Sequence, residues 1–169
     1  MLNEFKSTFP TFTSLLPNAD PEVCLPGIGD EEIKKLEKDM GCLLPDSYKL
    51  FLKANRGLWL LGGAVQFGAQ HPFLHNFAKL EELNPQQLAV VKQRGGQWPP
   101  PSNGMLCFAE YYLEDDGDQV LFKVDDGLVN GEYPIYYYAH STTPASVRKI
   151  AESFTEFLEN KCIQSFNES

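Results

Sequence analysis

The spacing of apolar residues changes period along this chain, and that change decides the fold class. In the first third, apolar positions recur three or four residues apart: Phe5, Phe9 and Phe12, then Ile33, Leu36 and Met40, then Tyr48, Phe51 and Leu52. Around Val120, Phe122 and Val124 they alternate with Gln119, Leu121 and Lys123, the two-residue period of a strand. Helical spacing returns with Val147, Ile150, Phe154, Phe157 and Leu158. Segregated helices around consecutive strands predict an α+β fold, not a parallel alternating one. The expected architecture is a mostly antiparallel meander packed against an N-terminal helix pair and closed by a C-terminal helix. A chain of 169 residues corresponds to a single domain, spanning 1–169.

Punctuation residues refine this outline. Pro10 divides the helical segment Leu2–Leu16, and residues 17–29 read as a loop broken by prolines and glycines. Asp30 is a candidate cap for the next helix, Glu31 and Glu32 suit its first turn, and Gly41 suits a left-handed stop. Pro45 suits the first position of a second helix, expected to end at Asn55-Arg56-Gly57 with Gly57 at positive φ. Residues 58–67 read as a strand interrupted at Gly62-Gly63, and residues 68–83 as irregular. Asn84-Pro85 opens a helix that Gly95-Gly96 stop, and Trp98 to Pro101 form a stiff connector. Strands are expected over Met105–Leu113, Asp118–Val124 and Tyr133–His140, with turns at 114–117 and from Asp125 to Gly131. The last helix is expected to start at Thr143-Pro144, and the tail after Cys162 to fray.

Charge narrows the classes of partner. Twenty-three acids against fourteen Lys and Arg give a formal net charge of −9. A nucleic-acid binder needs a basic face, so that class is disfavoured, whereas a basic protein would be steered toward this chain. No apolar run approaches the roughly 20 residues of a membrane span. The longest, Leu58 to Leu61, ends in two glycines. Neither a membrane partner nor a secretory leader is expected. Cys24, Cys42, Cys107 and Cys162 are far apart and sit among apolar neighbours, which suits reduced thiols in a cytoplasmic protein.

The motifs of catalysis are weak. There is no GxSxG elbow and no local cysteine signature. His71 and His75 have ligand spacing, but Pro72 lies between them and no HExxH glutamate is present; no metal and no cofactor are expected. Gly27-Ile28-Gly29 lacks a third glycine and a preceding strand, so a phosphate cradle is disfavoured. The unusual feature is carboxylate density: Glu110, Glu114, Asp115, Asp116, Asp118, Asp125, Asp126 and Glu132 fall within 23 positions. Calcium is disfavoured because the spacing of Asp115, Asp116 and Asp118 does not match a twelve-residue calcium loop, and acid–base chemistry needs a pocket that turns do not supply; a solvated set of turns and a protein-binding face remain open on sequence. Tyr111, Tyr112 and Tyr133 are interleaved with these acids, and tyrosine is an efficient interface residue.

The ordered set Ile33, Leu36-Glu37, Gly41, Leu44-Pro45, Tyr48, Phe51-Leu52 and Asn55-Arg56-Gly57 resembles the N-terminal signature of the SMI1/KNR4 family, the SUKH superfamily, with one residue inserted in its Asn-Gly pair. Phe108-Ala109-Glu110, Gly117-Asp118, Pro134-Ile135-Tyr136, His140, Ser153-Phe154 and Phe157-Leu158 continue the likeness, which covers a core of about 22–160 and is weakest over 68–104. The resemblance implies a binding module and not an enzyme. Bacterial members resemble immunity proteins that neutralise polymorphic or contact-dependent toxins, often encoded by a neighbouring gene; fungal members regulate cell-wall synthesis and signalling. It implies a cognate toxin as partner, and a nuclease-type toxin would be basic. The partner-binding residues expected on this view are Glu114, Asp115, Asp116 and Asp118, with Trp59, Tyr111 and Tyr112 as aromatic anchors. Asp118 has an alternative role in capping its own turn.

Overall fold

The structure is a computed structural model, and it describes residues 2–19, 23–60, 65–68, 75–76, 104–111, 118–139 and 146–164. The expected helix at Asn84-Pro85, the 114–117 turn and the proline connector lie outside them. Helices α1 (Leu2–Thr8) and α2 (Pro10–Leu15) meet at Pro10, as its missing amide hydrogen requires, and a 3-10 turn (Leu16–Ala19) follows. Strand β1 (Val23–Pro26) precedes α3 (Asp30–Met40) and α4 (Asp46–Ala54). Next come β2 (Asn55–Leu60), β3 (Val65–Gly68), β4 (His75–Asn76), β5 (Met105–Tyr111), β6 (Asp118–Lys123), β7 (Ile135–Ala139) and β8 (Ser146–Ala151). The chain then enters α5 (Phe154–Glu156), which runs on as a π-helical stretch, Phe157–Lys161. No described helix is long and apolar enough to cross a membrane.

The described strands form one antiparallel sheet in the order β1-β2-β3-β5-β6-β7-β8, with β4 also paired to β5. Except at the short β4, strands consecutive in sequence pair with one another, so the α+β meander is as expected. Helices cover one face. Tyr48 of α4 sits on that face with ring centroids 5.7 Å from Phe108, 5.2 Å from Phe122 and 5.1 Å from Phe154. Phe108 and Phe122 stack at 4.0 Å. Phe5, Phe9 and Phe12 join the same apolar cluster, which reaches Ile163 at the other end of the chain. Cys107, Leu121 and Tyr138 form a smaller buried cluster on the opposite face.

Backbone amides at helix starts are satisfied by distant carboxylates. Glu159 accepts from the amides of Thr11 and Phe12 at 3.0 and 2.9 Å, capping α2 from 147 and 148 residues away. Glu132 accepts from Ser47 at the start of α4 (3.3 Å) and from Phe154 at the start of α5 (3.2 Å). Glu37, the single acid in the apolar stripe of α3, accepts from the amide of Leu44 at 2.8 Å and pairs with Lys49 at 3.3 Å.

Five local expectations are corrected. The segment 146–151 is strand, not the start of the last helix: β-branched Val147 and Ile150 suit the free edge of β7, and a register shift opposite Ile135/Tyr136 accommodates the extra residue. Part of the 17–29 loop is the edge strand β1, where Pro26 is tolerated beside a register shift. Gly57 is not a helix cap; it lies in β2, where an added Cβ would meet Leu25 Cδ1 at 3.1 Å. Gly29, not Asp30, caps α3, and Asp30 instead pairs with Lys53 at 2.8 Å. Pro45 precedes α4, which begins at Asp46. Gly41 does stop α3 in the left-handed conformation, at φ 73°.

The Tyr48 hydroxyl is fully buried and has no hydrogen-bond partner among the described residues, and burial holds its pKa far above the ordinary tyrosine value. Leaving a buried donor unpaired costs about 1–3 kcal/mol. Tyr48→Phe keeps every ring contact and is expected to raise stability by about 1 kcal/mol in urea denaturation. A less stable variant would show that the hydroxyl is satisfied internally, for instance by water.

Candidate functional site

The acid-rich stretch divides once it is folded. Asp125 and Asp126 stand exposed after β6, where Lys123 Nζ donates to Asp125 Oδ1 at 2.6 Å and to Asp126 Oδ2 at 2.7 Å. The hydrogen bond from Lys123 holds the Asp125 carboxyl below its ordinary range, and the same two carboxylates raise the pKa of the ammonium. The turn is closed by Gly127 N donating to Val124 O at 3.1 Å, and the amide of Val124 donates to Gly104 O at 2.7 Å. Gly104 is required there: its φ is 65°, and a Cβ would strike the Asp125 side chain. Glu132, by contrast, turns inward to the helix starts. Glu114, Asp115 and Asp116 lie outside the described residues, as does Tyr112.

Asp118 is buried, only 1% exposed, and accepts a hydrogen bond from the Tyr137 hydroxyl at 2.6 Å. Arg148 of β8 lies over the Tyr137 ring, 4.6 Å from its centroid. Asp118 shares a face with Val120, two residues on, whose side chain belongs to the helix-side cluster. This carboxylate therefore works inside the fold, which is a correction to its place among exposed partner contacts. The Tyr137 contact is in keeping with the structural alternative the sequence allowed.

The aromatic anchors are also separated. The register sets Trp59 opposite Val23 and Gln66, Gln66 opposite Glu110, and Glu110 opposite Gln119. Trp59 and Gln119 are thus in one transverse row, and Asp118, next to Gln119, points to the other face. Tyr111 is opposite Asp118. Trp59 is half-buried. One patch on a sheet face cannot hold both Trp59 and Asp118. Sequence alone did not single out Leu43 and Val129, the two large apolar side chains that are exposed among the described residues. Asn130-Gly131 was the available signal, since that pair builds the hairpin tip next to Val129.

Cys42 and Cys162 have the opposite of nucleophile activation. Cys42 is half-buried, and burial and Glu37 raise its pKa. Cys107 and Cys162 are buried, and burial pushes the Cys162 thiol up to about 12. Cys24 is exposed, unlike the partly buried thiol expected, and donates to Asn55 Oδ1 at 3.3 Å. Among the described residues no group of three or more His, Cys, Asp or Glu could hold a metal ion. His71 and His140 lie outside those residues, and His75 is set opposite Cys107.

Residues 27–160 match the family model described as SMI1 / KNR4 family (SUKH-1). No curated protein matches the chain. The match begins after β1, so the segment of α1 and α2 precedes it while contributing Phe5, Phe9 and Phe12 to the core.

The thiol arrangement sets an order of reactivity. At pH 8 a chromogenic disulfide reagent is expected to modify Cys24 rapidly and Cys42 slowly, and to reach Cys107 and Cys162 only on denaturation. Rapid native labelling of Cys162 would mean that the C-terminal helix opens readily.

Proposed function

The chain belongs to the SMI1/KNR4 family (SUKH-1), and on that footing we propose that it is an antitoxin-like immunity protein. It binds a cognate polymorphic or contact-dependent toxin in the cytoplasm and blocks it by protein–protein contact, without chemistry of its own. The observation that carries this reading is the family match over residues 27–160, since the family is known for immunity proteins. The net charge of −9 favours a basic partner, such as a nuclease-type toxin, because opposite fields accelerate and orient encounter.

The exposed acids are the natural source of that field. Asp125 and Asp126 supply part of it, and Glu114, Asp115 and Asp116 are proposed to supply more; of the proposed aromatic contacts Trp59, Tyr111 and Tyr112, Trp59 and Tyr111 occupy rows on opposite faces of the sheet and so do not serve one patch together. Asp118 drops out, because its carboxylate is buried against Tyr137.

Capture of the tagged protein from its native cells tests the reading. One basic partner at near-equal stoichiometry is expected, lethal when expressed alone and harmless with this chain. Several substoichiometric partners would indicate a regulatory or scaffold module in cell-wall or stress signalling instead. With the partner in hand, Asp115→Lys combined with Asp116→Lys should slow association about ten-fold at low salt, with the gap closing as salt screens the field. An unchanged rate at low salt would remove that turn from the interface.

A further inference from the structure

Leu43 and Val129 are 58% and 66% exposed, and the loops that carry them are joined. Leu43 lies in the link between α3 and α4; Val129 lies in the hairpin between β6 and β7. Three contacts join these two loops. The Tyr133 hydroxyl donates to Leu43 O at 2.8 Å, and the amide of Asp46 donates to Gly131 O at 2.9 Å. The Asp46 carboxylate also occupies the space that a Cβ on Gly131 would need. The hairpin tip is rigid in its own right. Val129 and Glu132 exchange both backbone hydrogen bonds, at 3.0 and 3.1 Å, around Asn130 and Gly131 with φ of 52° and 76°. Two left-handed central residues make the tight turn whose twist suits a hairpin.

The two loops carry more acid than base, although Glu132 is turned inward to the helix starts. The stretches 41–49 and 123–132 carry four carboxylates, Asp46, Asp125, Asp126 and Glu132, against two ammonium groups, Lys49 and Lys123. Both lysines are already paired to these acids, at 3.5, 2.6 and 2.7 Å, and their side chains are mostly covered, whereas Asp46 and Asp126 are largely exposed. The surface therefore presents two apolar side chains on pre-ordered loops within a negative field.

We propose that Leu43 and Val129 are the apolar anchors of a protein-docking surface whose occupant is a cationic protein domain with an apolar recess flanked by Lys or Arg. This rests on reading the chain as a protein-binding module and adds where the partner seats. Charge complementarity selects the occupant, and the pre-ordered loops remove the cost of arranging the anchors on binding.

The test places a photo-crosslinking amino acid at position 43, at position 129, and at exposed Lys6 of α1 as a control, in the full-length protein in its native cells. Adducts are identified by mass spectrometry. The expected result is one basic protein crosslinked from 43 and 129 but not from 6, and lost at high salt. With that protein as the probe, Leu43→Ala and Val129→Ala are each expected to weaken binding about ten-fold, with thermal unfolding unchanged. No adduct at 43 and 129, the same adducts as the control, or a second copy of this chain would overturn the surface. Full protection against a lethal partner by the double alanine variant would also overturn it while leaving immunity intact. A basic partner that crosslinks at both positions but is not lethal would keep the surface and remove immunity.

Discussion

The helix-facing side of the sheet is organised by aromatic contact between Tyr48, Phe108, Phe122 and Phe154. These four come from a helix, two neighbouring strands and the closing helix, so no single segment can form its core alone. Aromatic pairs contribute about 0.5–1.5 kcal/mol each beyond the area they bury, and their edge-to-face preference fixes angles as well as distances. Tyr48 lies at 64° to Phe122 and 72° to Phe154. The docking of α4 and of α5 on the sheet is thereby set from a shared reference. The β-bulge near Phe108 belongs to this arrangement, since it lets Phe108 and Ala109 both join the helix-side cluster.

Part of the acidic surplus is structural. Glu37, Glu132 and Glu159 each accept backbone amides from other segments, and Asp118 is engaged by Tyr137. Carboxylates at helix starts satisfy donors that the helix itself leaves unpaired and complement its dipole. A net charge read from composition therefore overstates the field available to a partner. Among the described residues, exposed acids lie at the turn after β6 and on α3 and α4, where several are already paired with nearby lysines.

Much of the fold was legible because the punctuation is local. Pro10, Gly41 and Asn130-Gly131 act through their own φ preferences, and each does in the structure what its chemistry implies. The edge strands were less legible. β1 is four residues with a terminal proline, and β8 carries Val147 and Ile150 three apart, a spacing that also fits a helix. Their strand character comes from pairing with β2 and β7, a tertiary influence that no local pattern records. The site was legible as a composition and not as a place. Which of the acids face outward depends on register across four strands, and that is what puts Trp59 and Asp118 on opposite faces.

The π-helical stretch Phe157–Lys161 has a historical reading. A π turn holds one residue more than an α turn, which is how a helix absorbs a single-codon insertion without shifting the residues on either side. Here Phe154 and Phe157 stay on the core while Glu159 still reaches the start of α2. The bulges near Phe108 and Ile150 absorb an extra residue in the same way within strands. A relative lacking any of these three residues would keep the same contacts, so its alignment to this chain belongs with a gap inside the helix or strand and not in the loops beside it.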